Sequence, residues 1–199
     1  MKTMTLPEFR EYVRWWYSAP VDGSGWVTQT ERRCLISLAY RMCARRFVEI
    51  GVSEGCTARA ILKALPEIET YYGLDVGPGY PVPESQRPEV PAVAGSMVND
   101  YRFTVFLDDG GWLDKTLPGP HDMVFIDGDH SCGAVLAHTK RAMARKRNVV
   151  TIVWHDVGNP KQPGVDAALA QVGEIFRITP TRIHGTSLAF AHVWRNELQ

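Results

Sequence analysis

Five ionisable side chains stand in two short runs of this 199-residue chain: Asp127, Asp129 and His130 in one, His155 and Asp156 in the other. Each run follows an apolar stretch of strand length, Met123 to Ile126 and Asn148 to Trp154. In an open parallel sheet neighbouring strands end side by side, and ligands bind outside those carboxyl ends. Asp127 and Asp156 can therefore converge on one cation. Carboxylates with water suit Mg²⁺ or Mn²⁺; a histidine among them, here His155, shifts the preference toward Mn²⁺, Fe²⁺ or Zn²⁺. Buried carboxylates without a partner are costly, so the cluster calls for a cation or for hydrogen-bond donors. The other reading is a metal-free site in which Asp127 bonds backbone and His130 caps the next helix. Asp129 and His130 are both candidate general bases; histidine titrates near neutrality, which favours His130.

A second constellation lies earlier. Phe47 to Ala58 runs apolar residues into Glu49, Gly51, Ser53 and Gly55, then into helix-favouring residues, so it reads as strand, tight turn and helix. The free N–H groups at such a helix N-terminus suit a ligand, and glycine lets the backbone approach it. The spacing is E-x-G-x-x-x-G, not the G-x-G-x-x-G of a dinucleotide binder, and a purely structural turn reads equally well. The next strand, Glu69 to Asp75, places a carboxylate twenty residues after Gly55. That is the distance a β-α-β unit needs to bring Asp75 beside a ribose held on the first loop.

The elements that position these residues follow from periodicity. Leu6 to Tyr17 carries Phe9, Val13 and Trp16 on one helical face. Its aromatics suit packing across the sheet, a dimer surface, or a wall of the acceptor pocket. Thr28 to Arg45 is a second helix with Thr28 or Thr30 as N-cap. Val76 to Val90 holds four prolines and two glycines, an irregular loop over the crevice: either part of a lid with Tyr80 near the ligand, or an extended surface loop. Val90 to Ala94 reads as a short third strand, Asn99 to Leu117 as a weak helix and loop, and Ser131 to Lys146 and Gly164 to Val172 as helices. Ile175 to Thr179 and Leu188 to Trp194 read as a terminal hairpin.

In that order VEIGVSEG, GLD, VAGSM, MVFIDGDHS and TIVWHD resemble a class I S-adenosylmethionine-dependent methyltransferase, and within it the small bacterial O-methyltransferase group with a FIDGDHS-type motif. The resemblance spans roughly Arg46 to Trp194. It implies an α/β, doubly wound, seven-stranded, mostly parallel sheet with one antiparallel edge strand. Residues 46–199 would form the cofactor-binding domain and residues 1–45 an N-terminal helical extension. It implies S-adenosylmethionine as cofactor, with Glu49 on its amino group, Gly51, Ser53 and Gly55 along its carboxylate and sulfonium side, and Asp75 on its ribose. Ser96 stands where the class commonly has an acidic residue for adenine. Metal-dependent members hold a divalent ion through residues matching Asp127 and Asp156; His155 replaces their usual second acidic residue. The implied reaction is methylation of a hydroxyl on a small molecule, a sugar or natural-product type. A non-catalytic binder of S-adenosylmethionine or S-adenosylhomocysteine and a metal-dependent oxidative enzyme on the same frame are the competing readings.

Composition narrows the partners. Twenty-two basic and 22 acidic residues cancel, so no nucleic acid is expected. No apolar run approaches membrane-span length and the N-terminus lacks a signal-type apolar region, which reads as cytoplasmic. The four cysteines form no C-x-x-C pair and read as reduced core thiols. The partners expected are a hydroxylated small molecule and, through the aromatic first helix, a second copy of the chain.

Overall fold

The computed structural model describes residues 1–21, 23–82, 87–88, 90–108, 119–144 and 146–194, with the backbone alone at 108 and 146–148. The strands are β1 (Lys2–Thr5), β2 (Arg46–Ile50), β3 (Thr70–Val76), β4 (Phe103–Asp108), β5 (His121–Ile126), β6 (Lys146–Trp154), β7 (Thr181–His184) and β8 (Leu188–Trp194). The helices are α1 (Leu6–Val13), α2 (Gln29–Arg41), α3 (Cys56–Ala64), α4 (Cys132–Ala144) and α5 (Pro163–Phe176). All the strands join one sheet, in the order β1-β7-β8-β6-β5-β2-β3-β4. Strand β8 runs against β6 and β7, and every other pairing is parallel.

From β2 the chain winds outward through β3 and β4; from β5 it winds the other way into β6. The strand order therefore reverses between β2 and β5, which opens a crevice at their carboxyl ends. Side chains alternate across each strand and feed two cores. Phe47, Phe125 and Val153 pack with Phe9, Leu35, Leu38 and Ile61 under α1, α2 and α3. Val48, Ile50, Val124, Ile152 and Trp154 pack with Val135, Val165 and Leu169 under α4 and α5.

The mostly parallel doubly wound sheet is present with eight strands, the additional one being β1, which pairs with β7 through Lys2↔Thr181 to Thr5↔His184. Residues 2–5 were expected in no element. Val90 to Ala94 is not a strand: Pro91 has no N–H for a ladder and residues 94–97 turn. The strand beside β3 is instead β4, inside the segment read as a helix, because the alternation of Phe103, Val105 and Leu107 suits a pleated edge. Residues 109–117 of that segment lie outside the described residues. Ile175 does not open a strand either. Helix α5 continues to Phe176, Arg177 ends it at φ 56°, and β7 begins only after Pro180. Helix α1 stops at Arg14, also left-handed with φ 60°.

The aromatics of α1 face β8 and not the crevice. Phe9 meets Phe190 edge-on at 5.8 Å, and the Tyr12 hydroxyl lies 2.5 Å from Nε2 of His192. None of residues 6–17 lines the crevice, so the pocket-wall reading of this helix fails. Cys34 and Cys56 are buried thiols as expected, whereas Cys43 is exposed. Among the described residues no helix is long and apolar enough to cross a membrane.

Candidate functional site

The turn after β2 is shaped by close packing. Gly51 sits at φ 87°, and a Cβ there would stand 2.0 Å from the carbonyl oxygen of Asp127. Only glycine lets the ends of β2 and β5 meet this closely. Gly55, the N-cap of α3, makes no side-chain cap, so that helix presents free N–H groups to the crevice. Ser53 N–H donates to Oδ2 of Asp75 at 2.5 Å and Val76 N–H to Oδ1 at 2.7 Å. Burial nevertheless raises the Asp75 pKa against those bonds.

A cavity of about 620 Å³ runs from Asp75, Leu74 and Tyr80 past Gly51, Asp127 and His130 to Asp156, Lys161 and Gln162. A smaller cavity of about 320 Å³ adjoins it through Trp26, Gly51, Ser53, Val90 and Asp127, and is lined by Glu49, Arg32, Cys56 and Thr57. Glu49 is 2% exposed and accepts a 2.8 Å bond from the Tyr71 hydroxyl. Burial, the larger effect, pushes its pKa well above the usual carboxylate range. Arg32, 1% exposed, donates to the carbonyl of Ser24 and sets a buried positive charge near that carboxyl group.

The late cluster is compact. Nε2 of His130 lies 2.9 Å from Oδ2 of Asp156 and 3.8 Å from Oδ1 of Asp127. Nδ1 of His155 lies 2.9 Å from the same Asp127 oxygen, and its Nε2 is 3.4 Å from Oε2 of Glu31. Burial alone would lower both histidine pKa values. The facing carboxylates outweigh it, raising His130 to about 9 and His155 well above its ordinary value. Burial likewise works to raise Asp156 and Glu31, but their histidine partners prevail and hold both below the usual range. Asp156 takes up its place at φ 58°, a left-handed turn that aspartate tolerates.

Asp127, His130 and Asp156 each offer a ligand atom, and these lie within 4.8 Å of one another. That donor set fits a divalent ion. His155 is the outer member: its two ring nitrogens face Glu31 and Asp127, so it orients Asp127 from behind. Asp129 is exposed at the rim, where its Oδ1 accepts from Ser131 N–H at 2.8 Å. Ser96 is exposed on its turn and lines neither cavity. Tyr80 lines the larger cavity, while positions 83–86 and 89 of that proline-rich loop lie outside the described residues.

The sequence reading missed Glu31, Arg32 and Trp26. Glu31 is 2% exposed and closes a capping box with Thr28. The T-x-x-E pattern was visible as a helix start. It carried no hint that Oε1 also accepts from Ser187 N–H and Oγ, at 2.7 and 2.8 Å, or that Oε2 reaches His155.

Solved structures share this arrangement of sheet, helices and crevice. The O-methyltransferase TomG from Streptomyces achromogenes, involved in tomaymycin synthesis and solved with SAM, is 18% identical with a TM-score of 0.58 over 85% of this chain and 81% of that one. An O-methyltransferase from Bacillus cereus in complex with SAH is 18% identical, with a TM-score of 0.61 over 96% and 90% of the two chains. The SAH-bound methyltransferase PaMTH1 of Podospora anserina is 17% identical, with a TM-score of 0.64 over 96% and 88%. At such identities the likeness speaks for the fold, which is the Rossmann-like methyltransferase fold. A search of curated proteins finds no significant match. A family profile described as a methyltransferase domain matches residues 48–157, more than half of the chain. The chain therefore belongs to the methyltransferase-domain family, the class that transfers methyl groups from S-adenosylmethionine.

Proposed function

We propose that the protein methylates a hydroxyl group of a small molecule, with S-adenosylmethionine as donor. The observation that carries this reading is the single cavity joining the Gly51–Gly55 turn and Asp75 to the His130–Asp156 pair. The Streptomyces and Bacillus proteins of like fold are O-methyltransferases, which supports it.

In this reading Asp75 takes the ribose hydroxyls. Gly51 and Ser53 line the methionine chain, with Gly55 shaping the turn behind them, and Glu49 receives its ammonium group. Arg32 and the free N–H groups of α3 face its carboxylate, a chemistry suited to a guanidinium and a helix N-terminus. The acceptor lies toward Asp156, Lys161 and Gln162. Its oxygen attacks the methyl carbon in line, the carbon–sulfur bond breaks, and that electron pair leaves a neutral thioether on S-adenosylhomocysteine. The hydroxyl proton passes to the His130–Asp156 pair, whose Nε2 and Oδ2 lie 2.9 Å apart, taken as one acid–base unit. Asp127 and Asp156 hold the ring protonated, so the pair takes up the hydroxyl proton only after the ring has given up its own. The protein's main contribution is alignment, because the sulfonium supplies the driving force.

Asp127, His130 and Asp156 would hold a divalent ion such as Mg²⁺ or Mn²⁺, with His155 orienting Asp127. When bound, such an ion would make the acceptor hydroxyl more acidic. His130 would then be a ligand, leaving exposed Asp129 as the base.

Calorimetric titration with S-adenosylmethionine and S-adenosylhomocysteine, with Mg²⁺ or Mn²⁺ and after EDTA, tests the reading. Micromolar cofactor binding is expected, and a change on chelation would show that a divalent ion belongs to the site. Absence of cofactor binding in every condition would show that the Gly51–Gly55 turn is structural.

A further inference from the structure

Trp26 is 66% exposed, the most exposed tryptophan among the described residues, and it stands where the two cavities meet. An indole left in water at a cleft mouth forfeits burial that a ligand could restore. Its backbone is anchored on the C-terminal side. Val27 is buried, and Thr28 closes the capping box with the same Glu31 that faces His155. The indole is thus fixed two residues from the segment that braces the His130–Asp156 cluster, and does not hang on a free loop.

The cavity assigns its own ends. Asp75 and the glycine turn take up one end with the donor, which leaves the end with Lys161 and Gln162 for the acceptor, and Trp26 lines both this cavity and the smaller one, at the junction of the two. His130, Asp156 and Thr28 give this cavity polar groups, and Trp26 gives it a flat apolar wall. A flat wall beside a proton acceptor selects for shape: a ring can lay one face on the indole while its edge hydroxyl reaches the base. A linear polyol has hydroxyls to offer but no such face.

Resting on the methyltransferase reading above, we infer that Trp26 is the acceptor platform and that the acceptor is a hydroxylated ring, phenolic or pyranose, stacked on its indole. Trp26 thereby determines acceptor choice.

The test loads the full chain with S-adenosylhomocysteine and titrates it with catechol, methyl α-D-glucopyranoside and sorbitol, in the wild type, Trp26→Ala and Trp26→Phe. At least one ring compound saturates the wild-type complex and sorbitol does not; which ring binds identifies the source of the acceptor. Trp26→Ala weakens that ring about tenfold or more, the scale of one lost aromatic stacking contact. Trp26→Phe keeps most of the affinity, thermal denaturation reports that both variants fold, and the loss of ring affinity in Trp26→Ala exceeds any loss of S-adenosylhomocysteine affinity. Equal ring binding by Trp26→Ala, sorbitol binding as well as the rings, or no ring binding at all overturns the inference. Loss of S-adenosylhomocysteine binding in Trp26→Ala alone makes the indole a donor contact and also overturns it. Failure of the wild type to bind S-adenosylhomocysteine removes the methyltransferase reading beneath it.

Discussion

Glu31 shows how much one carboxylate can organise. Its two oxygens accept from Thr28 N–H and Oγ1 and from Ser187 N–H and Oγ, and one of them faces His155. It ties the start of α2, the β7–β8 turn and the Asp127 cluster to one point. Glu31→Gln removes the charge opposite His155 while keeping the shape. Methyl-transfer kcat is expected to fall about 10- to 100-fold, the scale for losing an orienting partner, with S-adenosylhomocysteine affinity retained. An unchanged kcat would show Glu31 to be a cap and nothing more. Arg32 makes a separate prediction at the same scale. Charge-assisted hydrogen bonds are worth about 1.5–3 kcal/mol, so Arg32→Gln should weaken S-adenosylhomocysteine binding about tenfold or more. Binding of 5′-methylthioadenosine, which lacks the amino-acid end, should be unchanged; equal loss for both ligands would assign Arg32 to folding alone.

Among the elements, the β2 turn and the end of β5 depend on each other. Gly51 meets the backbone of Asp127 and Gly128, which no rotamer change can move aside. Gly51→Ala must part these two strand ends or force a left-handed alanine. A lowered melting temperature with loss of S-adenosylhomocysteine binding is expected, read by thermal denaturation and titration of the same sample. A variant that melts and binds like the wild type would show that the turn can relax. Gly164 plays a comparable part for α5, since a Cβ there would stand 2.3 Å from the carbonyl oxygen of His130. The helices and strands were legible where a long periodic stretch specifies them, as in α2, α4 and β2. They were misread where a short stretch takes its state from its neighbours. Val105 and Leu107 become a strand because β3 offers an edge, and Ile175 stays helical because α5 packs on α4.

At the scale of the whole molecule, buried histidines make stability depend on pH. His192, placed between the Tyr12 hydroxyl and Thr151 Oγ1, has its pKa lowered to about 4 by burial and then by Arg41. His138 is lowered to about 4 by burial and then by Arg141, and burial also lowers His121. The unfolded chain takes up these protons near the ordinary value of 6.5, while the folded chain resists them. Their contribution is therefore complete above about pH 6.5 and is lost progressively toward about pH 4. Urea unfolding should show a midpoint that falls across this interval, and more gently in His192→Gln; a flat midpoint would mean that these rings are protonated in the fold.

The sequence by itself determined the class of fold, the glycine turn and the carboxylate at the end of the following strand. It also marked the two acidic runs at neighbouring strand ends. Each of these is local: a period of 2 or 3.6, a glycine where backbone must pass, a charge at the end of an apolar run. Only the tertiary structure decided which ionisable groups meet. His130 pairs with Asp156, and His155 bridges Asp127 to Glu31, because strand order and the left-handed turn at Asp156 set those directions. Glu31, Arg32 and Trp26 come from a segment far away in sequence, and the docking of α2 over β2 and β5 brings them to the crevice. Such proximity is a property of packing between distant segments, which no periodicity within one segment encodes.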